Sequence, residues 1–349
     1  MSMTQKPVRV GIVGLGRAGW GMHSKELLAR PETFRIVAGC DTLEDRRERL
    51  AEVVDCVTYA SIEDLVADPI VEVVSIATRS CDHLEHATIA LEAGKVVFLE
   101  KPMTVSYDEA VTLVGTAQRT PGRLFVRHNR RFEAGFRHIL EIIASGVLGE
   151  VFEVKLRRGG YQRRDDWQTI QAFGGGQLLN WGPHVIDHAL QFLGAPVTSQ
   201  WSDLRRVAAV GDAEDQVKIV LRGANGRVVD LEICGGAALR EPEYLVWGDR
   251  GALRCTGDTI DLRYLDPAHK LPERAADPGV PGQTFGSQDA LPWIEESIPV
   301  APSEPTDTTS IWDALYATLR EDKPFPITLD QAVEVMRVVS LAKANSDFA

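Results

Sequence analysis

Three glycines stand in the spacing G-x-G-x-x-G at Gly14, Gly16 and Gly19, directly after the apolar run Val8 to Val13. Gly14 allows a tight strand-to-helix turn, Gly16 lets the backbone approach a pyrophosphate, and Gly19 lets the helix lie close on the strand. The helix that follows turns its free N–H groups and positive end toward the phosphates. Leu15, Arg17 and Ala18 fill the loop and are counted with the glycines as cofactor-contacting positions. A second apolar run, Phe34 to Gly39, leads into Cys40-Asp41. Asp41 falls about 20 residues beyond the last glycine, where an acid meets the ribose hydroxyls. Strand, glycine turn, helix, strand and acid in this order read as a dinucleotide site. Asp41 favours NAD, because its carboxylate accepts from the 2′-hydroxyl and repels a 2′-phosphate. Arg46 lies near enough in sequence to leave NADP open.

Oxidation of an alcohol by a nicotinamide needs a base for the hydroxyl proton and a positive donor for the oxygen. Lys101 follows the apolar run Val96 to Leu99 and Glu100, and Pro102 restricts its backbone to extended conformations. A lysine in a partly desolvated cleft has a lowered pKa and can donate to the reacting oxygen. The alternative is a loop lysine paired with Glu100. A second group is Asn180-x-x-x-His184-x-x-Asp187-His188, whose offsets of three and four place the side chains near one helix face. His184 has the unperturbed pKa for proton exchange near neutrality. Asp187 could orient its ring or touch substrate. A lone histidine on such a helix would be structural; two with an acid and an amide, after the glycine triplet 174–176, are harder to assign to packing. Pro183 demands a kink or a fresh helix start near 182. A third group is the run from Tyr161 to Trp167. Trp167 can stack on a sugar ring, while Arg163, Arg164 and Asp166 can read hydroxyls or carboxylates. The alternative there is an ordinary charged loop.

The elements that must carry these residues alternate strictly in the first part of the chain. Strands are expected at Val8 to Val13, Phe34 to Asp41, Cys56 to Tyr59, Val71 to Ala77, Val96 to Leu99 and Leu124 to Val126. Helices are expected at Trp20 to Ala29, Leu43 to Val53, after the N-cap Ser61, at Cys81 to Ala93 before Gly94, and at Tyr107 to Arg119. This alternation specifies a doubly wound parallel sheet over residues 1–125. From 126 to 349 the pattern changes. A helix from Phe132 to Ala144 and a strand from Val151 to Arg157 precede a helical stretch reaching Leu193. Val217 to Leu221 and Val228 to Ile233 flank Asn225-Gly226, a hairpin signal. Tyr244 to Trp247, Ala252 to Cys255 and Thr259 to Tyr264 read as further strands, so this part is an α+β domain with a largely antiparallel sheet. Residues 266–307 lack periodicity and read as a long surface loop. Helices from Thr309 to Arg320 and from Leu329 to Ala344 close the chain, the last expected to return to the first domain.

Composition narrows the partners. The 349 residues are 44% hydrophobic, enough for buried cores, and carry a net charge of −12, which disfavours nucleic acid and anionic membranes. No apolar run approaches the roughly 20 residues that span a bilayer. The N-terminal MSMTQKPVRV lacks a leader pattern, and the expected location is cytoplasmic. Cys40, Cys56, Cys81, Cys234 and Cys255 show no CxxC or zinc spacing, so free thiols and no metal site are expected. A broad exposed sheet face is expected to be covered by another subunit, giving a homodimer or homotetramer.

Taken together, the chain resembles the Gfo/Idh/MocA oxidoreductases, named for glucose–fructose oxidoreductase and inositol dehydrogenase. The resemblance rests on VGIVGLGRAG, ATRSCDHLEHATIALEAGKVVFLEKP, the stretch Asn129-Arg130-Arg131-Phe132, EIIASGVLGEVFEV and GGGQLLNWGPHVIDHALQFLG in that order. It implies a Rossmann domain, a second domain with a large open antiparallel sheet, and NAD(P)-dependent oxidation or reduction of sugars, polyols or related carbonyl compounds. By position, Lys101 of the E-K-P motif contacts cofactor and substrate, with Glu100 beside it. His184 is the acid/base histidine, and Asp187 matches a carboxylate that touches substrate. Thr78, His83 and Asn129 fall where the family meets the nicotinamide end. Position 180 departs from the pattern, since many members carry Asp there. An amide can hold a hydroxyl or imidazole but cannot relay a proton, so Asn180 is expected to position substrate. Two other readings are a catalytically silent nicotinamide- and sugar-binding regulator, and an enzyme that retains NAD for redox epimerisation or glycoside cleavage.

Overall fold

The computed structural model describes residues 6–276, 278–279, 290–344 and 346–348. The strands β1 (Val8–Val13), β2 (Phe34–Cys40), β3 (Val57–Tyr59), β4 (Val73–Ile76), β5 (Val96–Glu100) and β6 (Arg123–Arg127) form one sheet in the order β3-β2-β1-β4-β5-β6. Every pairing in it is parallel. Each strand is followed by a connection that crosses a face of the sheet, so all six carboxyl ends lie along one edge. Val13, Ile76, Glu100 and Arg127 therefore deliver Gly14, Thr78, Lys101 and Asn129 to the same side. The order reverses between β1 and β4, which opens a crevice at their ends. β4 is buried at every position, as a central strand with both faces covered should be.

Local chemistry sets the helix boundaries. Ser61 Oγ accepts from Asp64 N at 3.2 Å, and Ser106 Oγ accepts from Glu109 N at 3.3 Å, capping helices Ile62–Ala67 and Tyr107–Arg119. Gly94 adopts φ 74° beyond helix His83–Glu92. The first helix differs from expectation. Gly19–Ser24 is wound as a wider π-helix, and the α-helical turn Lys25–Leu28 follows it. Such widened turns recur at functional sites.

The second sheet contains β7 (Val151–Gly159), β8 (Val197–Arg205), β9 (Gln216–Gly223), β10 (Val228–Cys234), β11 (Tyr244–Gly248), β12 (Gly251–Thr256), β13 (Thr259–Leu265) and β14 (Trp293–Pro299). Its order is β14-β13-β12-β11-β7-β10-β9-β8, antiparallel except for the parallel pair β7–β10. Alternation places Val217, Ile219, Leu221, Val229, Leu231 and Ile233 in the core, under helix Gly182–Leu193. Two strands escape the sequence reading. β14 falls inside the expected loop 266–307; its alternation is masked by Glu295, Glu296 and Ser297, tolerable on an edge strand whose side chains are mostly exposed. Part of that loop lies outside the described residues. β8 is polar for the same reason, being the opposite edge.

The end of the chain binds both sheets. Ile311, Trp312 and Leu315 of helix Ser310–Arg320 are buried with Val8, Val10, Phe34 and Phe98 of the first sheet. Full burial of side chains this large stabilises by roughly 1.5–3 kcal/mol each. On helix Leu329–Ala344, Ser340 Oγ accepts from Tyr107 N at 2.8 Å, and Val338 O accepts from Gln200 Nε2 at 3.0 Å. No helix among the described residues is long and apolar enough to cross a membrane.

Candidate active site

The glycine turn divides its tasks by space. A Cβ at Gly14, where φ is 87°, would stand 2.8 Å from Ala77 O, and one at Gly19 would stand 1.9 Å from Gly14 O. Both positions are closed by the chain itself. At Gly16 a Cβ would meet only Arg46 Nη1, at 3.5 Å, so this glycine faces open space where a phosphate can approach. Asp41 stands beside it at the end of β2. Its Oδ2 accepts from Leu15 N at 2.8 Å and lies 3.3 Å from Arg46 Nη1. Its Oδ1 accepts from Leu43 N at 3.0 Å. The acid thus holds the glycine turn in place while presenting a carboxylate beside it. Arg17 is exposed at the mouth of the loop.

At the other end of the crevice, Lys101 is half-buried after β5. Its Nζ donates to the backbone carbonyl of Asn180 at 2.9 Å. Asn180 ends helix Gln177–Asn180, and a new helix begins at Gly182 with Pro183 in its first turn, as the position of the proline demanded. His184 sits in that first turn, its N–H donating to Trp181 O at 3.1 Å. The Lys101 ammonium therefore rests on the carbonyl four residues before His184, the lysine following β5 of the first sheet and the histidine lying on helix Gly182–Leu193. His184 is 7% exposed, and its Nδ1 is buried with no hydrogen-bond partner among the described residues. Burial, then the charges of Lys101, Arg130 and two neighbouring histidines, hold its pKa well below the ordinary value. Burial likewise brings Lys101 down to about 8, opposed by Glu100 and assisted by Arg130, Arg127 and Arg17.

The model of the oxidoreductase family with an NAD-binding Rossmann fold matches residues 8–128, and that of the GFO/IDH/MocA C-terminal domain matches residues 136–254. The chain belongs to the Gfo/Idh/MocA oxidoreductases. The uncharacterized oxidoreductase YdgJ of Escherichia coli (strain K12) is 28% identical over 96% of this chain and 95% of that protein. The scyllo-inositol 2-dehydrogenase (NADP(+)) IolW of Bacillus subtilis (strain 168) is 25% identical over 97% of this chain and 94% of its own. The crystal structure of an NAD-binding protein from Listeria innocua shares the fold, with a TM-score of 0.83 at 23% identity over 98% of each chain.

The first unit of this Gfo/Idh/MocA enzyme is an NAD(P)-binding domain. The residues fit that group: Gly16 leaves the approach open, and the buried Nε2 of His83 has no hydrogen-bond partner among the described residues. His83 is oriented by Nδ1, 2.7 Å from Pro102 O, and Thr78 by His86 Nδ1 at 3.0 Å. Asn129 is buried on the turn after β6. A bound nicotinamide accepts or supplies hydride. Around it, the neutral His184 can take a proton, and Lys101 can donate to an oxygen that gains negative charge.

Two residues of the expected set are engaged by other side chains. Asp187 is buried, and both its oxygens accept from Arg131, at 2.7 and 2.5 Å. It braces the Asn129–Phe132 turn through that pair. Glu100 is buried too, and its Oε1 is bonded to His23 and Arg127 beneath Lys101. His188 serves packing: it stacks on Phe136 at 3.9 Å, and burial pushes it down to about 3.

The run before the glycine triplet is only partly engaged. Arg163 is exposed, and Trp167 is half-buried on a short turn that Asp166 caps. Arg164 pairs with Asp166 at 2.8 Å and also donates to Gln168, whose Nε2 reaches Asn180 Oδ1 at 3.3 Å. Gln168, Arg130 and Trp181 are missed by sequence reasoning. Arg130 lies 4.2 Å over the Trp181 ring, beside His184. The Asn129–Phe132 motif was the available signal for Arg130; nothing local marks Gln168. Among the described residues no group of three or more His, Cys, Asp or Glu side chains could hold a metal ion.

Proposed function

We propose that this enzyme transfers a hydride between a nicotinamide and a secondary alcohol or ketone of a sugar, cyclic polyol or related derivative, acting in the cytoplasm. The observation that carries the reading is the Lys101 ammonium on the carbonyl one turn before His184. Two such groups, one cationic and one able to take a proton, are what a carbon–oxygen bond needs during hydride transfer. Asn180, held by Gln168, is placed to bond a substrate hydroxyl. The name of the related IolW supports a cyclic polyol. Following NADH absorbance across a panel of inositols, sugars and sugar acids tests the proposal. Turnover of at least one substrate is expected. Binding without turnover would favour the regulator reading, and nicotinamide retained through purification would favour internal redox epimerisation or glycoside cleavage.

Asp41 supports a preference for NAD, because a 2′-phosphate would meet its carboxylate directly. The kcat/KM ratio of NAD to NADP is expected to exceed tenfold, and Asp41→Ser, which leaves Arg46 unopposed, is expected to invert or abolish that preference. A wild-type preference for NADP would refute this assignment.

Association of two or four copies through the open face of the second sheet is also proposed. That face is less apolar than expected, carrying the ion pairs Arg157–Asp230 and Lys218–Glu232. Phe152 and Trp201, 48% and 57% exposed, are its apolar anchors. Sedimentation at micromolar concentration should show a dimer or tetramer that Trp201→Arg weakens; a monomeric wild type would end the proposal.

A further inference from the structure

Beneath Lys101 lies a layer of buried charge that the chemistry above does not use. Glu100 Oε1 accepts from Arg127 Nη1 at 2.7 Å and lies 2.9 Å from His23 Nε2. Its Oε2 accepts from the Lys101 backbone N–H at 3.1 Å. Arg127 spans the layer, its Nη2 donating at 2.6 Å to Glu26 Oε2, which also accepts from Trp312 Nε1 at 2.6 Å. His23 is held from the other side by Ser75 Oγ at 2.8 Å and by the edge-on ring of Trp312. His23, Ser75, Arg127 and Trp312 are all 1% exposed or less. Five segments meet here: the helix after the glycine turn, β4, β5, β6 and helix Ser310–Arg320.

The charges explain why the layer matters. Burial keeps His23 below its ordinary pKa, so it contributes hydrogen bonds and no charge. That leaves two carboxylates, Glu26 and Glu100, with one guanidinium between them. Glu100 would be the natural counter-ion of the lysine next to it in sequence, and a buried carboxylate stripped of its partner recruits another cation or becomes very costly. Yet the Lys101 ammonium rests on a neutral carbonyl at the end of helix Gln177–Asn180. We propose that Arg127 is a positioning residue for Lys101: by engaging Glu100 and Glu26 together, it keeps Glu100 from pairing with the ammonium and leaves that ammonium to the cleft. Trp312, through Glu26, anchors the arginine in this pose. The consequence for turnover rests on the dehydrogenase reading; the placement of the ammonium does not.

The titration of Lys101 can be read without any substrate. Its acylation rate in the full-length protein, followed by mass spectrometry across pH, gives the midpoint directly. The groups acting on it are chiefly Glu100, Arg130, Arg127 and Arg17, and His128 and His184 are coupled to it as well. The wild type should titrate near 8. Arg127→Met removes a repelling charge and frees Glu100, so the midpoint should rise by about one unit, roughly a tenfold change in the charged-to-neutral ratio. Arg127→Lys keeps the buried charge and so protects folding, but one ammonium cannot span both carboxylates; a smaller rise is expected. Turnover should fall in both, with the KM for cofactor held within about threefold. An unchanged midpoint in folded Arg127→Lys protein overturns the proposal. Should no panel substrate turn over, the dehydrogenase reading fails while the labelling result still decides the role of Arg127.

Discussion

His184→Ala is expected to lower kcat on the identified substrate by about 10²- to 10⁴-fold, the usual contribution of a positioned general base. The fold should survive. Nδ1 of His184 has no hydrogen-bond partner among the described residues, so truncation strands no partner of that atom there. The cost is that of a cavity, roughly 1–3 kcal/mol. Affinity for the cofactor should stay close to that of the wild type, because the glycine turn and Asp41 lie at the far end of the crevice. The pH dependence carries a sharper signature. With its pKa held well below the ordinary value by burial and surrounding cations, the imidazole is neutral throughout the neutral range. Alcohol oxidation should therefore show no acid limb near pH 6.5, and a limb there would place the titrating base elsewhere. Single-turnover rates of wild type and His184→Ala across pH settle the matter; full activity in the variant would remove His184 from the chemistry.

Lys101→Met is expected to cost about 10²- to 10³-fold in kcat, comparable with the loss of one preorganised donor at a developing oxyanion. Here the sign of the pH effect follows from a lysine lowered to about 8. Below that value the ammonium is present to donate; above it the donor is lost, so the oxidation rate should fall through an alkaline limb near 8. Lys101→Arg keeps its charge across the accessible range, and its limb should vanish even if the planar fork reduces the rate. Persistence of the same limb in Lys101→Arg would assign it to another group.

Both predictions concern residues that were legible in the chain because their signals are local. A lysine between a buried strand and a proline, and a histidine just after a proline that must restart a helix, announce their placement within a few neighbours. Gly14, Gly16 and Gly19 are legible for the same reason, and their three environments match the three tasks assigned to them. Asp187 and Glu100 show where this stops. Each has a motif position that suggests contact with ligand, but a carboxylate's role depends on which cation reaches it. Arg131 reaches Asp187 across 56 positions and Arg127 reaches Glu100 across 27. Edge strands β8 and β14 were obscured because pairing on one side alone relaxes the alternation that reveals a strand.

The sequence by itself determined the parallel sheet and the glycine turn, since backbone periodicity and glycine spacing act over short range, and it nominated Lys101 and His184 for the reacting bond. Tertiary structure alone decided that Asn180, four residues before His184, offers its carbonyl to Lys101 and its side chain to Gln168, and that helix Ser310–Arg320 returns to brace the first sheet. Such outcomes turn on packing between segments far apart in the chain. Whether a buried charge faces a ligand or another side chain is settled by desolvation at the place where those segments close on one another.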